Sequence, residues 1–465
     1  MRLVVYREWM IVDKIMEAFQ NELSFSEFPP LGKSDWVAEA LRSLKLENLD
    51  SLQSQTYEGI VLAPFYTSED RPETGLAPHE FPDGWQNRVE IVGKVPAEAN
   101  ALAKKALEQG ADAVCFDLRY TENLYYTGLL RGFEQTRLNW ILPLNFKEID
   151  ALAKWNGPGT IDFDFLSRWT YRGQQPPAGF KTLKALLSLS KSKISQRALT
   201  LNAQPFGLAG AHAGQELGLA LSLLTEYIDQ LRDASLSAEA LFKQAEFSLV
   251  VGPHFFMEVA KFRALRVLWK QLLAAYEVDF FPARLHARTT TLNKSRLDAY
   301  NNLLRTTTEA MSAVIGGVNA LTVGPYDEIS GQSDDFSRRI ARNVSTILKA
   351  EAHLDQVSDL AAGAYFIDYL TVALAQKAWA FFQQIEQMGG FSAAFTQGFI
   401  KTEIESVARL RRLALQEEKQ ILVGVNRYKN PKDQPLPPNK PEKKTSSDLP
   451  LLSLARWAEP WEEAL

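Results

Sequence analysis

The chain has 465 residues, 46% of them hydrophobic and 23% charged, with 51 Lys and Arg against 56 Asp and Glu for a net charge of −5. This is globular composition, which excludes wholesale disorder, and the charge balance offers no footprint for nucleic acid or an anionic membrane. One cysteine, Cys115, excludes an intrachain disulfide and a zinc site built from several thiolates.

No apolar run approaches the ~20 residues of a membrane span, and charges at Arg7 and Glu8 break any signal-peptide core, so the chain reads as cytoplasmic. Residues 1–50 read as a helical arm. Ile11, Ile15 and Phe19 fall at helical spacing, and Ser34 is placed to cap a second helix with Val37, Ala40, Leu41 and Leu44 on one face. Between the two, Phe25, Phe28, Pro29 and Pro30 form an extended apolar stretch that must pack on this chain's own body or on a partner.

Residues 51–426 carry a strand–helix rhythm. Residues 59–62 and 89–92 are strand candidates. Pro96 then opens a helix with Ala99, Leu102, Ala103, Ala106 and Leu107 on one stripe, and Gly110 closes it. Residues 112–116, 140–144, 197–201, 284–287 and 320–323 continue the strands, with long helices over 215–231 and 255–276. Leu297, Tyr300, Leu304, Met311 and Ile315 stripe one further helix, ended by Gly316 and Gly317. Phe336, Ile340, Val344 and Ile347 stripe the next, with Ser333 and Asp334 to cap it. Helix, glycine, short apolar strand is how a parallel sheet with crossover helices is written, and roughly eight such units predict an α/β (β/α)8 TIM-type barrel. Residues 427–465 are linker and tail: six prolines and five lysines fall within 429–450.

Chemistry is harder to find in the residues alone. His79, His212, His254, His286 and His353 show no pairing used by zinc hydrolases, so no metal site is expected. Gly207, Gly210 and Gly214 are spaced too widely for a dinucleotide turn and suit close helix packing. Asp162 and Asp164, two apart, are an acid/base pair or a solvated turn. Glu258, Lys261, Arg263 and Arg266 lie on an apolar helix, where internal ion pairing is the simpler reading, and Glu417 to Lys419 read as an exposed helix face.

The stretch from Phe255 to Arg266 (FFMEVAKFRALR) resembles a signature of the methylmalonyl-CoA mutase family. So do the stretches from Asp298 to Met311, from Asp335 to Asn343, from Ala375 to Trp379 and from Ile421 to Asn426, in the family's order. The resemblance implies a (β/α)8 barrel. In catalytic relatives acyl-CoA threads that barrel, adenosylcobalamin lies across one end, and a C-terminal domain supplies the cobalt-ligating histidine in an Asp-x-His-x-x-Gly motif. That motif is absent here: the residues two before the five histidines are Ala77, Gly210, Gly252, Arg284 and Glu351.

The pocket positions that the resemblance maps are also altered. Where relatives carry Ser-Gly-Tyr-His, this chain has Asn202-Ala203-Gln204-Pro205, and Pro205 can neither donate a hydrogen bond to a thioester carbonyl nor shuttle a proton. A tyrosine that directs the radical chemistry falls near Glu90, after the kept Trp85 and Arg88. A polar amide has become Asp162, an arginine Gln244, and an asparagine ahead of Asp327-Glu328 is Gly324. Arg172 is the one position left for a residual acyl-CoA contact. The resemblance thus implies the family's small (beta) subunit, with no catalytic residues, no cofactor of its own and no metal. Its partner would be a catalytic large (alpha) subunit that binds adenosylcobalamin, and the tail from Arg456 to Glu462 resembles the post-linker segment of such subunits. The alternatives are a catalytic acyl-CoA mutase barrel that takes its cobalamin domain from a separate polypeptide, and a stand-alone acyl-CoA-binding barrel.

Overall fold

The computed structural model describes residues 27–28, 31–72, 84–92, 95–119, 126–133, 136–191, 196–233, 235–331, 333–439 and 447–464. The chain divides into two compact units, Met1–Ser54 with Val61–Glu69, and Gln55–Ile60 with Asp70–Leu465. In the smaller unit, α1 (Lys33–Leu44) is capped two residues before the expected cap Ser34. The Asp35 carboxylate accepts from Gly32 N–H at 2.8 Å, which makes Gly32, not Ser34, the N-cap. No residue of α1 is buried, and Trp36 stacks on Phe65 at 4.6 Å. The expected helix through Ile11, Ile15 and Phe19 lies outside the described residues, as do Phe25, Pro29 and Pro30 of the apolar stretch; Phe28 is exposed.

The larger unit is built on eight strands: β1 (Gln86–Val92), β2 (Ala113–Asp117), β3 (Leu138–Ile141), β4 (Gly159–Asp162), β5 in two pieces (Gln196–Arg197 and Leu199–Asn202), β6 (Ala245–Val251), β7 (Leu285–Thr289) and β8 (Ala320–Thr322). Every neighbouring pair is parallel, and β8 returns to β1 through Ala320 opposite Gln86. The first piece of β5 pairs with β4 and the second with β6, so the ring closes through a strand interrupted at Ala198. This is the α/β (β/α)8 TIM-type fold expected from the sequence.

Side chains alternate between the axis and the helices. Asn139 bonds Thr160, and His286 touches Ser248 and Thr322 on the two flanking strands, all facing the axis. Leu138, Trp140, Phe247, Leu285 and Ala287 point outward and are fully buried under the helix ring. There Trp140 meets Phe116 at 5.3 Å and Trp155 at 5.8 Å, and Phe247 meets Trp269 at 5.7 Å. Burying a ring such as Phe247 contributes about 1.5–3 kcal/mol.

The crossover helices that matter below are α2 (Pro96–Glu108), α3 (Phe165–Arg172), α4 (Gln204–Leu208), α5 (Ala213–Leu231), α6 (Ala238–Gln244), α7 (Phe255–Ala275), α8 (Asn301–Ile315), α9 (Asp335–Ala350) and α10 (Tyr365–Gln387). In α2, Pro96 opens the first turn, and Ala99, Ala103 and Ala106 are buried as their spacing predicts. Gly207 and Gly210 are packing glycines. A Cβ at Gly207 would stand 2.2 Å from Val250 Cγ2, and one at Gly210 2.7 Å from the Ala408 Cβ.

Several expectations need correcting. Val61–Leu62 belongs to a separate two-stranded sheet and contributes nothing to the barrel. Two barrel strands, β4 and β6, were not anticipated. The stripes on α8 and α9 coincide only in part with their buried faces: Val344 is buried, but Tyr300, Leu304, Phe336 and Ile347 are exposed. The faces that pack inward carry Asn302, Thr306 and Glu309 on α8, and Ser337, Ala341 and Ser345 on α9. Glu417 and Lys419 lie just past the helix Phe399–Gln416 rather than on its face.

The prolines after residue 427 do not make a free linker along their described length. Leu436 exchanges two hydrogen bonds with Arg296, and the Asp433 carboxylate accepts from Asp298 N–H. Beyond them Trp457 and Ala458 join Leu292, Leu415, Leu422 and Val425 in an apolar cluster, with Arg456 paired to Glu462 at 2.6 Å. No helix among the described residues is long and apolar enough to cross a membrane.

Candidate functional site

Barrels place their chemistry where the strands end. Here the inward positions near those ends are occupied by polar side chains that pair with one another. Lowest on the axis, Arg88 of β1 reaches Glu246 of β6 at 2.9 Å, both buried. Burial pushes the Glu246 carboxyl up, but the Arg88 guanidinium outweighs it and holds the group at about 2.

Above that pair stands His286 of β7, its Nδ1 2.8 Å from Ser248 Oγ and its Nε2 2.9 Å from Thr322 Oγ1. Burial, then the nearby charge of Arg88, drives its pKa far below the usual value, so the ring is neutral. A serine beside a histidine suggests an activated nucleophile, but the far nitrogen meets a threonine hydroxyl, not an orienting carboxylate. Ser248 also accepts from Gln204 Nε2 at 2.8 Å. The geometry is that of a closed hydrogen-bond network.

Glu90, where the sequence placed a lost tyrosine, is salt-bridged at 3.1 Å to Arg288 of β7, which reaches Glu328 at 2.8 Å. Burial alone would lower the Arg288 pKa, yet the two carboxylates hold it well above its usual value. Gly324 explains why Glu328 can sit there: a Cβ at that position would stand 2.4 Å from Glu328 Oε1. A side chain at position 324 and this ion pair would compete for one space.

Asp162 ends β4. Its carboxylate takes Arg168 at 2.8 Å and Asn202 Nδ2 at 2.9 Å, and it accepts from Asp164 N–H at 3.0 Å. Both of its oxygens are occupied by neighbours. Asp164 caps α3, accepting from Ser167 N–H, from Asn202 N–H at 2.7 Å and from the Tyr227 hydroxyl at 2.7 Å. Burial and the charge of Asp162 push its carboxyl up to about 6 against those three donors.

A carboxyl raised by folding stabilises the fold most fully below its unfolded pKa, about 4, and loses that contribution as pH rises through about 6. The expected contribution is on the order of 3 kcal/mol. Stability measured for the protein minus that for Asp164→Asn is therefore expected to fall between pH 4 and pH 7. A difference that grows with pH contradicts the assignment.

Other mapped positions separate. Pro205 is buried in the first turn of α4, where a proline needs no donor. Gln244 sits at the opposite, strand-start end of the barrel. Its Oε1 accepts the Ala198 N–H at 3.0 Å, the group left out of register where β5 is interrupted. Arg172 ends α3 on the helix ring, its guanidinium 5.5 Å from the Tyr171 ring, not on the axis. The structure thus brings Glu90, Asp162, Gln204 and Gly324 to the strand ends and leaves Gln244 and Arg172 elsewhere. Arg288, Glu328, Ser248 and Glu246 were not singled out from sequence. The polar-apolar alternation of Glu246-Phe247-Ser248 and His286-Ala287-Arg288 was the available signal.

The helix carrying Glu258, Lys261 and Arg263 pairs internally, as expected. Lys261 Nζ lies 2.8 Å from Glu216, 2.6 Å from Glu258 and 2.7 Å from Val250 O, and Arg263 joins Asp359 and Asp368. Among the described residues no three His, Cys, Asp or Glu side chains converge as metal ligands.

Comparison with known proteins places this geometry. Residues 146–459 match the family model for methylmalonyl-CoA mutase. The methylmalonyl-CoA mutase small subunit of Porphyromonas gingivalis is 34% identical over 449 residues, covering 89% of this chain and 72% of that protein. The small subunit of Streptomyces virginiae is 33% identical, covering 82% of this chain and 66% of its own length. The large subunit of Streptomyces virginiae is 26% identical over 90% of this chain and 64% of its own length. This chain therefore spans about two thirds to three quarters of the small subunits it matches. The polar barrel axis is one found on a member of a known enzyme family: the chain belongs to the methylmalonyl-CoA mutase family.

Proposed function

We propose that this chain is the small, non-catalytic subunit of a heterodimeric methylmalonyl-CoA mutase. It would stabilise a large subunit that binds adenosylcobalamin and carries out the reversible rearrangement of (R)-methylmalonyl-CoA and succinyl-CoA in the cytoplasm. The observation that carries this reading is the self-pairing of the strand ends. Glu90–Arg288–Glu328 and Gln204–Ser248–His286 satisfy one another on the strand ends that face the axis along which an acyl-CoA would pass. Charges paired this way are costly to separate, so substrate would have to displace neighbours that are already matched. Likeness to both a small and a large subunit from one organism supports a partner of the same family.

Among the described residues no histidine fits a cobalt ligand. His212 Nδ1 accepts from Gln215 N–H, both nitrogens of His286 are engaged, and His254 and His353 follow Gly252 and Glu351 by two residues instead of an aspartate. The cofactor is accordingly assigned to the partner.

A direct test measures turnover of the reconstituted complex carrying Gln204→Ala in this chain. The expected kcat/KM stays within about twofold, because removing a group that stabilises developing charge costs on the order of 10²–10³ and Gln204 is not such a group. A hundredfold loss with assembly intact would favour the alternative, a catalytic barrel supplied with a separate cobalamin domain.

A further inference from the structure

α8 lies on the surface of the barrel, yet its outer face carries no charge. Tyr300, just before the first turn, and Leu304 are 66% and 68% exposed. Thr307, Thr308 and the half-buried Met311 continue the same stripe. Both threonine hydroxyls turn back onto the helix, Thr307 Oγ1 donating to Leu303 O at 2.8 Å and Thr308 Oγ1 to Arg305 O at 3.0 Å. The two charges that the helix does carry point elsewhere. Glu309 faces inward to Lys294 at 2.7 Å, and the Arg305 guanidinium lies sideways, donating to Val423 O at 2.6 Å and to Asn302 Oδ1 at 2.7 Å. A helix that faces water carries charged residues on that side, as α2 does with the exposed Glu98, Lys104, Lys105 and Glu108.

The uncharged stripe continues onto two neighbours. Tyr326, from the loop after β8, stacks on Tyr300 at 5.3 Å. The turn that Arg305 grips brings in the exposed Val423 and, at 67% exposure, Tyr428. Gly424 of that turn seats so closely on α8 that a Cβ there would stand 2.9 Å from the Asp298 Cβ. Arg427 lies over the Tyr428 ring at 5.4 Å. Among the described residues neither Arg305 nor Arg427 has a carboxylate partner. The chain's own tail runs beside this face, on Arg296 and Asp298, and leaves these side chains in solvent. Contiguous apolar surface rich in tyrosine and arginine has the composition of a protein–protein contact.

We propose that this face, the outer side of α8 with residues 421–428, is the seat of the large subunit. Tyr300, Leu304 and Tyr428 form an apolar centre, and Arg305 and Arg427 meet carboxylates of the partner at its edge. The assignment rests on the subunit role proposed above and adds to it the surface and its chemistry. Charge decides between occupants. A second copy of this chain set on the same face would bring arginine against arginine about a two-fold axis, a juxtaposition that opposes association. A partner that supplies carboxylates gains charge-assisted, paired hydrogen bonds from the same guanidiniums.

Calorimetric titration of the full chain with the purified large subunit tests the seat. Leu304→Glu and Arg427→Glu are each expected to weaken association at least about thirtyfold, the loss of a central contact. Phe280→Glu alters a ring that is 63% exposed just before β7, and is expected to leave the affinity within about twofold. Thermal melts of the variants alone are expected to match wild type, because these side chains are exposed, so a lost association is not a lost fold. Adding the large subunit to wild type is expected to slow hydrogen exchange in α8 and in residues 421–428. If wild type associates and both α8-face variants bind as tightly, the seat is overturned and the subunit role stands. If wild type and the large subunit do not associate at all, the subunit role falls and the seat with it. A loss in Phe280→Glu as large as that in Leu304→Glu overturns the seat. So does a wild-type chain that pairs with itself and loses that pairing in Leu304→Glu, because the occupant would then be a second copy.

Discussion

Lys261→Met is expected to lower the stability of the folded chain by about 3–5 kcal/mol, the loss seen when one partner of a buried charge pair is removed. Lys261 is fully buried on α7 and bridges Glu216 of α5, Glu258 of its own helix and the Val250 carbonyl at the end of β6. Burial works against its charge, but Glu216 and Glu258 hold its pKa above the usual value. Methionine fills similar space and leaves two carboxylates with no cation, one of which also holds Val250 N–H at 3.0 Å. Urea denaturation of the variant measures the cost. Adding Glu216→Gln to Lys261→Met is expected to recover part of it, because the orphaned charge, not the lost methylenes, carries the penalty. A single-variant loss under about 1 kcal/mol would place Lys261 among solvated ion pairs instead.

Gly159→Ala is expected to cost more than about 4 kcal/mol, beyond the range of ordinary substitutions. Gly159 opens β4 with φ +148, and a Cβ there would lie 1.6 Å from the Leu138 carbonyl oxygen of β3. That oxygen belongs to backbone in the sheet, so no rotamer change relieves the contact. Gly159 also pairs with Gln196 in the first piece of β5, the segment through which the ring closes. The measurement is the yield of soluble, cooperatively melting protein against wild type. A melt within a few degrees of wild type would mean that the strand can shift its register at that point.

Much of this architecture was legible in the residues. Pro96, the alanine stripe and Gly110 mark α2 and the approach to β2, and Trp140 marks β3, expected over 140–144 and found over Leu138–Ile141, because burial against helices enforces apolar residues there. The strands that escaped did so for physical reasons. α6 runs from Gln244 straight into Ala245 with no turn residue between them, so nothing punctuates the change of period at β6. β4 is four residues long, begins with glycine and ends with aspartate, a pattern shared with solvated turns. On α8 the helix was readable but its buried face was not. Glu309 is fully enclosed because Lys294 and Asn293 reach it from the loop after β7, a contact that periodicity cannot report.

The altered positions of the candidate site were legible by family resemblance, but their new partners were not. Glu90 finds Arg288 nearly two hundred residues away, and Gly324 makes sense only beside Glu328. Gln244 shows the reverse limit: a residue mapped to a pocket proves to bracket the break in β5. Conversely, Lys261 and Arg263 fell within a family signature, yet their structural role is to tie α7 to its neighbours.

The central claim, that this barrel is closed to chemistry and serves a partner, is tested most directly by a mutase assay with adenosylcobalamin and methylmalonyl-CoA. The chain and the large subunit proposed as its partner are purified apart and assayed separately and mixed, and the chain is also given an isolated cobalamin domain. The account predicts turnover only where the large subunit is present, and silence from this chain with the domain alone. Turnover by this chain with nothing but that domain would contradict it, and would mean that Pro205 and the Glu90–Arg288–Glu328 pairing leave an acyl-CoA room to react.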